Sequence, residues 1–211
     1  GDGGGIAGGH IKMIGVIAIL RGVMPPEVLA IGRALLAGGV RIIEVPLNSP
    51  QPFESIALLA QEMKSAALIG AGTVLTPDDV DRVAAAGARL VLSPNFDPVV
   101  VARCKALGLI SMPGVATPSE GFQALAAGAD ALKLFPAEML GPPVVKAWRS
   151  VFPPATRLFS VGGISEANMA AFKKAGADGV GAGSSLYTPT TSPEEVERRA
   201  RALVKRWAAA G

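Results

Sequence analysis

From about residue 16 onward the chain alternates short, β-branched apolar runs with longer amphipathic stretches. The runs read "VIAILR", "IIEVPL", "ALIGAGTV", "LVLSPN", "LISMPGVA", "ALKLFPA", "LFSVGGI" and "GVGAGSSLY". Eight of them recur roughly every 20 to 26 residues, a spacing that predicts βαβ units and a parallel sheet. The stretches between them carry helix punctuation. "TPDD", "TPSE" and "SPEE" each set a capping hydroxyl before a proline and an acidic first turn. "AGGVR", "AAGAR", "AAGAD" and "KAGAD" set a glycine just past the helix, where a left-handed residue is needed, and the next apolar run follows at once. No composition break or long linker divides the chain. The pattern predicts a single-domain α/β fold, a (β/α)8 TIM barrel over residues 13–211. A doubly wound open sheet is the rival, and it explains eight near-equivalent units less well. Residues 1–12, opening "GDGGGIAGGH", read as a flexible lead-in or expression remnant. "IKMIGVIAIL" has a lysine before an apolar stretch, as a signal peptide does. It runs into Arg21 without a small-residue cleavage site and reads as the first strand.

Composition narrows the picture. Half of the 211 residues are hydrophobic but only 5% are aromatic, so aliphatic side chains must fill the core. No apolar run approaches the length of about 18 that a membrane-spanning helix needs. The formal charge of +3 is spread without basic clusters or interleaved aromatics, which argues against a nucleic-acid partner. The single cysteine, Cys104, excludes an internal disulfide framework and fits a reducing cytoplasm.

Parallel barrels do their chemistry at the C-terminal ends of the strands, which makes the position of each charge informative. Most charges fall on helices or turns. Arg41 and Arg157 begin their runs, which assigns them to the opposite rim and to stability. Arg21 ends the first run, Glu44 lies late in the second and Lys133 late in the sixth. Residues two apart share a strand face, giving the sets Ile17, Ile19 and Arg21; Ile42 and Glu44; Ala131, Lys133 and Phe135. If these sets face the barrel interior, one acid and two bases converge near its upper end. The plain alternative is a lysine snorkelling from a strand edge, or a structural ion pair with Glu44. A buried ion pair gains little stability, because desolvation offsets the Coulomb attraction. Burial lowers a lysine's pKa and yields a neutral amine able to form a Schiff base with a carbonyl. Glu44 would then move protons, and Arg21 suits a carboxylate.

"SVGGIS" and "GAGSSL" end the seventh and eighth runs, where barrels often bind phosphate through backbone N–H groups. Gly162, Gly163, Gly183 and Ser184 are the candidate cup, although tight βα turns need glycine in any case. "GAGTV" brings Thr73 to the same rim, as a donor to a substrate oxygen or as a cap for the turn that follows. Other chemistries lack parts. His10 is the only histidine and lies in the lead-in, leaving no Ser-His triad and no histidine metal site. Asp78, Asp79 and Asp81 read as a helix's acidic first turn, and Cys104 as a small core residue.

These segments together resemble the 2-keto-3-deoxy-6-phosphogluconate/galactonate aldolases, class I aldolases of barrel fold. The resemblance runs from about Val16 to Tyr187 on "AILRG", "IIEVPLNSP", "LIGAGTVL", "LSPN", "MPGVATPSE", "ALKLFPAE", "SVGGIS" and "GAGSSLY". It implies reversible cleavage of a 2-keto-3-deoxy sugar acid 6-phosphate to pyruvate and glyceraldehyde 3-phosphate, with no metal and no cofactor. It implies that Lys133 forms the Schiff base and that Glu44 donates and accepts the proton. By the same resemblance Arg21 and Thr73 bind the pyruvyl carboxylate, Pro94 and Phe135 shape the pocket, and Gly162, Gly163, Gly183 and Ser184 hold the phosphate. Gluconate-type members tend to carry a "TLRT"-like stretch after the glutamate and a threonine before the glycine pair. Here "PLNSP", with Asn48, and Val161 stand in those places, as in the galactonate branch. The resemblance also implies a homotrimer. Two rivals remain at this point: a phosphate-binding barrel epimerase or isomerase, which would not need the lysine, and a non-catalytic sugar-phosphate binding protein.

Overall fold

The structure is a computed structural model that describes residues 12–211; apart from Lys12, the expected lead-in, with His10, lies outside the described residues. Its first half runs β1 (Gly15–Ile19), α1 (Pro25–Ala37), β2 (Ile42–Pro46), α2 (Pro52–Met63), β3 (Leu68–Gly72), α3 (Pro77–Ala85), β4 (Leu90–Leu92) and α4 (Pro98–Ala106). The second half runs β5 (Ile110–Met112), β6 (Gly114–Val115), α5 (Pro118–Ala126), β7 (Leu132–Leu134) and α6 (Pro142–Arg149). It ends with β8 (Leu158–Val161), α7 (Met169–Ala175), β9 (Gly179–Ala182) and α8 (Pro193–Ala209).

All nine strands are parallel, in the order β5-β4-β3-β2-β1-β9-β8-β7-β6, and form a nearly closed TIM-like barrel ringed by helices. The eight expected runs become nine strands because Pro113 splits the fifth. Proline cannot donate to a ladder, so β5 pairs with β4 and β6 with β7 on either side of it. The N–H groups of Ala131 and Lys133 donate to the carbonyls of Ser111 (3.3 Å) and Pro113 (3.0 Å), and these bonds bridge the remaining gap between β5 and β7.

Local chemistry explains the helix boundaries. The hydroxyls of Thr76, Thr117 and Ser192 accept from the N–H groups of Asp79, Glu120 and Glu195, and Thr117 and Glu120 form a full capping box. After α1, α3, α5 and α7 the glycine foreseen at the helix end takes positive φ, for example 101° at Gly87 and 116° at Gly176. Asp81 stands apart from the acidic first turn expected of it and pairs instead with Arg103 of α4, at 2.6 Å.

Apolar side chains divide between two layers. One cluster lies between the barrel and its helices and contains Val16, Ala18, Ile43, Val45 and Cys104. The other fills the lower barrel with Ile17, Ile42, Leu68, Leu90, Met112, Ala131 and Phe159. Ile17, Ile42 and Ala131 therefore point inward, as strand alternation required for the sets leading to the site. Phe159 is the one aromatic side chain of this inner cluster. A Cβ at Gly179 would collide with its ring, so glycine opposite phenylalanine fits this layer.

The lower rim carries stability contacts. Asp178 pairs with Arg149 at 2.8 Å and Arg157 at 3.4 Å and accepts the N–H of Leu158 at 2.9 Å. Arg41 donates to the carbonyls of Leu36 and Val40 at the end of α1. Both arginines assigned to this rim thus serve the fold.

Candidate active site

At the upper end of the barrel, above the apolar plug, opens a cavity of about 470 Å³, a size that suits a small-molecule ligand. All eleven candidate residues line it: Arg21, Glu44, Thr73, Pro94, Lys133, Phe135, Val161, Gly162, Gly163, Gly183 and Ser184. Two lie farther along the chain than the strand pattern implied. β1 ends at Ile19, leaving Arg21 exposed in the turn beyond, and β7 ends at Leu134, one residue before Phe135.

Lys133, in the middle of β7, is only 6% exposed, and Glu44, in β2, only 2%. Burial lowers the Lys133 amine from its ordinary value, opposed by the charge of Glu44 and reinforced by that of Arg21. Burial likewise raises the Glu44 carboxyl to about 7, and the nearby charges of Lys133 and Arg21 hold it from rising further. Among the described residues no ion pair joins the two, and Glu44 Oε2 has no hydrogen-bond partner. The structural ion pair considered from sequence is therefore absent. Lys133 Nζ lies 4.8 Å from the centre of the Phe135 ring, so the residue two along the chain forms the amine's apolar wall.

The rim is built by chain crossings that sequence did not disclose. Buried Ser49, after β2, accepts the Gly22 N–H at 3.0 Å and donates to the Leu20 carbonyl at 3.5 Å, bracketing Arg21. Arg21 Nε donates to Asn48 Oδ1 at 3.4 Å. Thr73 has φ of 54°, a conformation costly for a β-branched residue, and lines the cavity from it. Ser93 donates to the Val74 carbonyl at 2.6 Å and ties the next turn down.

The cup at the ends of β8 and β9 is open backbone. Gly162 and Gly163 have φ of 117° and 68°. Among the described residues the N–H groups of Gly163, Gly183 and Ser184 have no acceptor in the chain, and a Cβ at Gly183 would meet nothing within 4 Å. Unpaired N–H groups around open space suit an anion. The same residues hold no group of three His, Cys, Asp or Glu side chains placed for a metal ion.

A lowered amine, a raised carboxyl and a cup of unpaired N–H groups thus share one cavity. The family model for KDPG and KHG aldolases matches residues 9–199. The chain belongs to this aldolase family. It is 46% identical over 189 residues to a probable 2-dehydro-3-deoxy-6-phosphogalactonate aldolase of Rhizobium meliloti, covering 90% of this chain and 89% of that one. Among solved structures, one described as native KDPGal superposes with a TM-score of 0.92 at 42% identity, covering 95% and 97% of the two chains. The KDPG aldolase of Legionella pneumophila, solved with pyruvate captured as a covalent carbinolamine, is 30% identical with a TM-score of 0.80, covering 90% and 94%. Family membership makes this chain a lyase and removes the epimerase and the non-catalytic binding protein from consideration.

Sequence reasoning missed Ser49 and Glu138. Ser49 carries no charge, so a search for charges at strand ends passes over it. Glu138 was passed over because it lies just beyond the sixth run, yet its side chain reaches back over the glycine pair. Among the described residues no helix is long and apolar enough to cross a membrane.

Proposed function

We propose that this aldolase reversibly cleaves 2-dehydro-3-deoxy-6-phosphogalactonate to pyruvate and D-glyceraldehyde 3-phosphate through a Schiff base on Lys133. The observation that carries the reading is the burial of Lys133 in one cavity with Glu44, Arg21 and the anion cup. The neutral amine attacks the C2 ketone to give a carbinolamine, which loses water to form the iminium. Glu44 takes the C4 hydroxyl proton as the C3–C4 bond breaks. The bonding electrons pass to the iminium nitrogen, forming an enamine, and the phosphorylated aldehyde leaves. Glu44 then returns the proton to C3, and water hydrolyses the iminium to free pyruvate and the amine. Arg21 and Thr73 hold the substrate carboxylate, Pro94 and Phe135 wall the reacting carbons, and Gly162, Gly163, Gly183 and Ser184 hold the phosphate. The iminium is the electron sink, so the scheme uses no metal and no cofactor.

Preference for the galactonate epimer is supported by the names of the relatives at 46% and 42% identity. It is also supported by Val161, a buried residue that lines the cavity directly before the glycine pair and offers no hydroxyl. Asn48, the second position that departs from gluconate-type members, contacts Arg21. A homotrimer working in the cytoplasm completes the proposal, in keeping with the family resemblance and with the single, buried, free Cys104. Incubation with pyruvate, borohydride reduction and peptide mapping tests the mechanism. The expected result is an adduct on Lys133; an adduct elsewhere, or none, overturns it. Parallel assays of the two C4 epimers are expected to show faster cleavage of the galactonate, and a clear gluconate preference removes that assignment.

A further inference from the structure

Four acidic or basic side chains line the cavity: Arg21, Lys133, Glu44 and Glu138. Glu138 has no part in the scheme above, and its location is unexpected. It lies in the turn after β7, anchored by the Ala137 N–H donating to the Val161 carbonyl at 2.8 Å and by Leu140 donating to Pro136 at 3.0 Å. That anchorage lays its side chain against the glycine pair at one side of the candidate anion cup. A Cβ at Gly163 would sit 2.6 Å from Glu138 Cγ and 2.9 Å from its Cδ, and a Cβ at Gly162 would collide with its Oε1. Among the described residues no cation or hydrogen-bond donor holds this exposed carboxylate. A negative group with no partner thus borders unpaired N–H groups that suit an anion.

We propose that Glu138 is a fixed negative neighbour of the cup, a specificity-determining residue whose charge weakens retention of phosphate-bearing ligands. The inference rests on the reading of Gly162, Gly163, Gly183 and Ser184 as the phosphate site. An incoming phosphate carries two negative charges near neutral pH, and repulsion from one carboxylate a few ångströms away lowers its affinity. The consequence suits a lyase whose product keeps the phosphate. A cup of bare N–H groups would also hold inorganic phosphate and the released aldehyde phosphate, and slow release of a product limits turnover.

Inorganic phosphate is the probe, used as a competitive inhibitor of cleavage in the parent and in the Glu138→Gln and Glu138→Ala variants. The inhibition constant is expected to fall roughly five- to tenfold in both variants, and the KM for the sugar-acid phosphate to fall with it. Damage to the site weakens phosphate, so tightening distinguishes removal of a charge from loss of a structural contact. If phosphate competes in the parent but its inhibition constant is unchanged or raised in both variants, the role of Glu138 is overturned alone. If phosphate does not compete even in the parent, the cup reading falls and the inference falls with it.

Discussion

The Glu44 carboxylate occupies the space that a side chain at Gly72 would fill: a Cβ there would lie 2.6 Å from Glu44 Cδ. Gly72 ends β3, beside the end of β2, and is paired with Pro46. The φ of Gly72 is not positive, so the backbone admits alanine, and the three atoms nearest to its methyl group would all belong to the Glu44 carboxylate. Gly72→Ala is expected to keep the fold, read by circular dichroism, while displacing Glu44. Displacement of a proton-transfer group by about 1 Å costs on the order of 100-fold in kcat. Unchanged turnover in this variant would show that the placement of Glu44 is not critical.

The raised Glu44 carboxyl links stability to pH. Because its folded value, about 7, exceeds the ordinary 4.5, the folded chain binds more protons than the unfolded chain between those values. Stability therefore falls as pH rises through that window. Glu44→Gln removes the penalty. Melting curves at pH 5 and pH 8 are expected to show the variant gaining on the parent as pH increases. The exchange of pyruvate methyl protons is expected to rise through about pH 7 in the parent and to lose that limb in the variant.

Thr73 separates stability from function. Glycine in its place relieves a conformation with φ of 54°, and the relief, less the chain entropy that glycine adds, is worth about 1 kcal/mol. The same change removes a hydroxyl from the cavity, and a lost hydrogen bond to substrate raises KM for pyruvate roughly tenfold. Denaturant titration and steady-state kinetics on Thr73→Gly are expected to move in opposite directions. A variant that binds pyruvate as the parent does would take Thr73 out of the carboxylate site.

Asp178 gives the complementary case at the lower rim. It joins Arg149, Arg157 and the Leu158 N–H, all remote from the cavity-lining residues. Asp178→Ala is expected to cost about 2 kcal/mol in urea unfolding and to leave kcat and KM in place. A large kinetic effect would contradict the division of the barrel into a stability rim and a catalytic rim.

The sequence by itself determined the repeating unit, the caps and which residues share a face in the strands leading to Arg21, Glu44 and Lys133. Each follows from a rule acting over a few residues: period-two alternation puts Ile42 and Glu44 on one side, a Thr-Pro pair starts a helix, and a glycine ends one. For that reason Lys133, Glu44 and the glycine cup were legible before any coordinates. Tertiary structure alone decided that Pro113 would split a strand and that Ser49 would bracket Arg21. It alone placed the Glu44 carboxylate against Gly72 and laid Glu138 over Gly162 and Gly163. These relationships join residues from different strands and loops, and ring closure fixes which of them meet. No local pattern encodes that closure, and the burial that shifts Lys133 and Glu44 exists only once the barrel is formed.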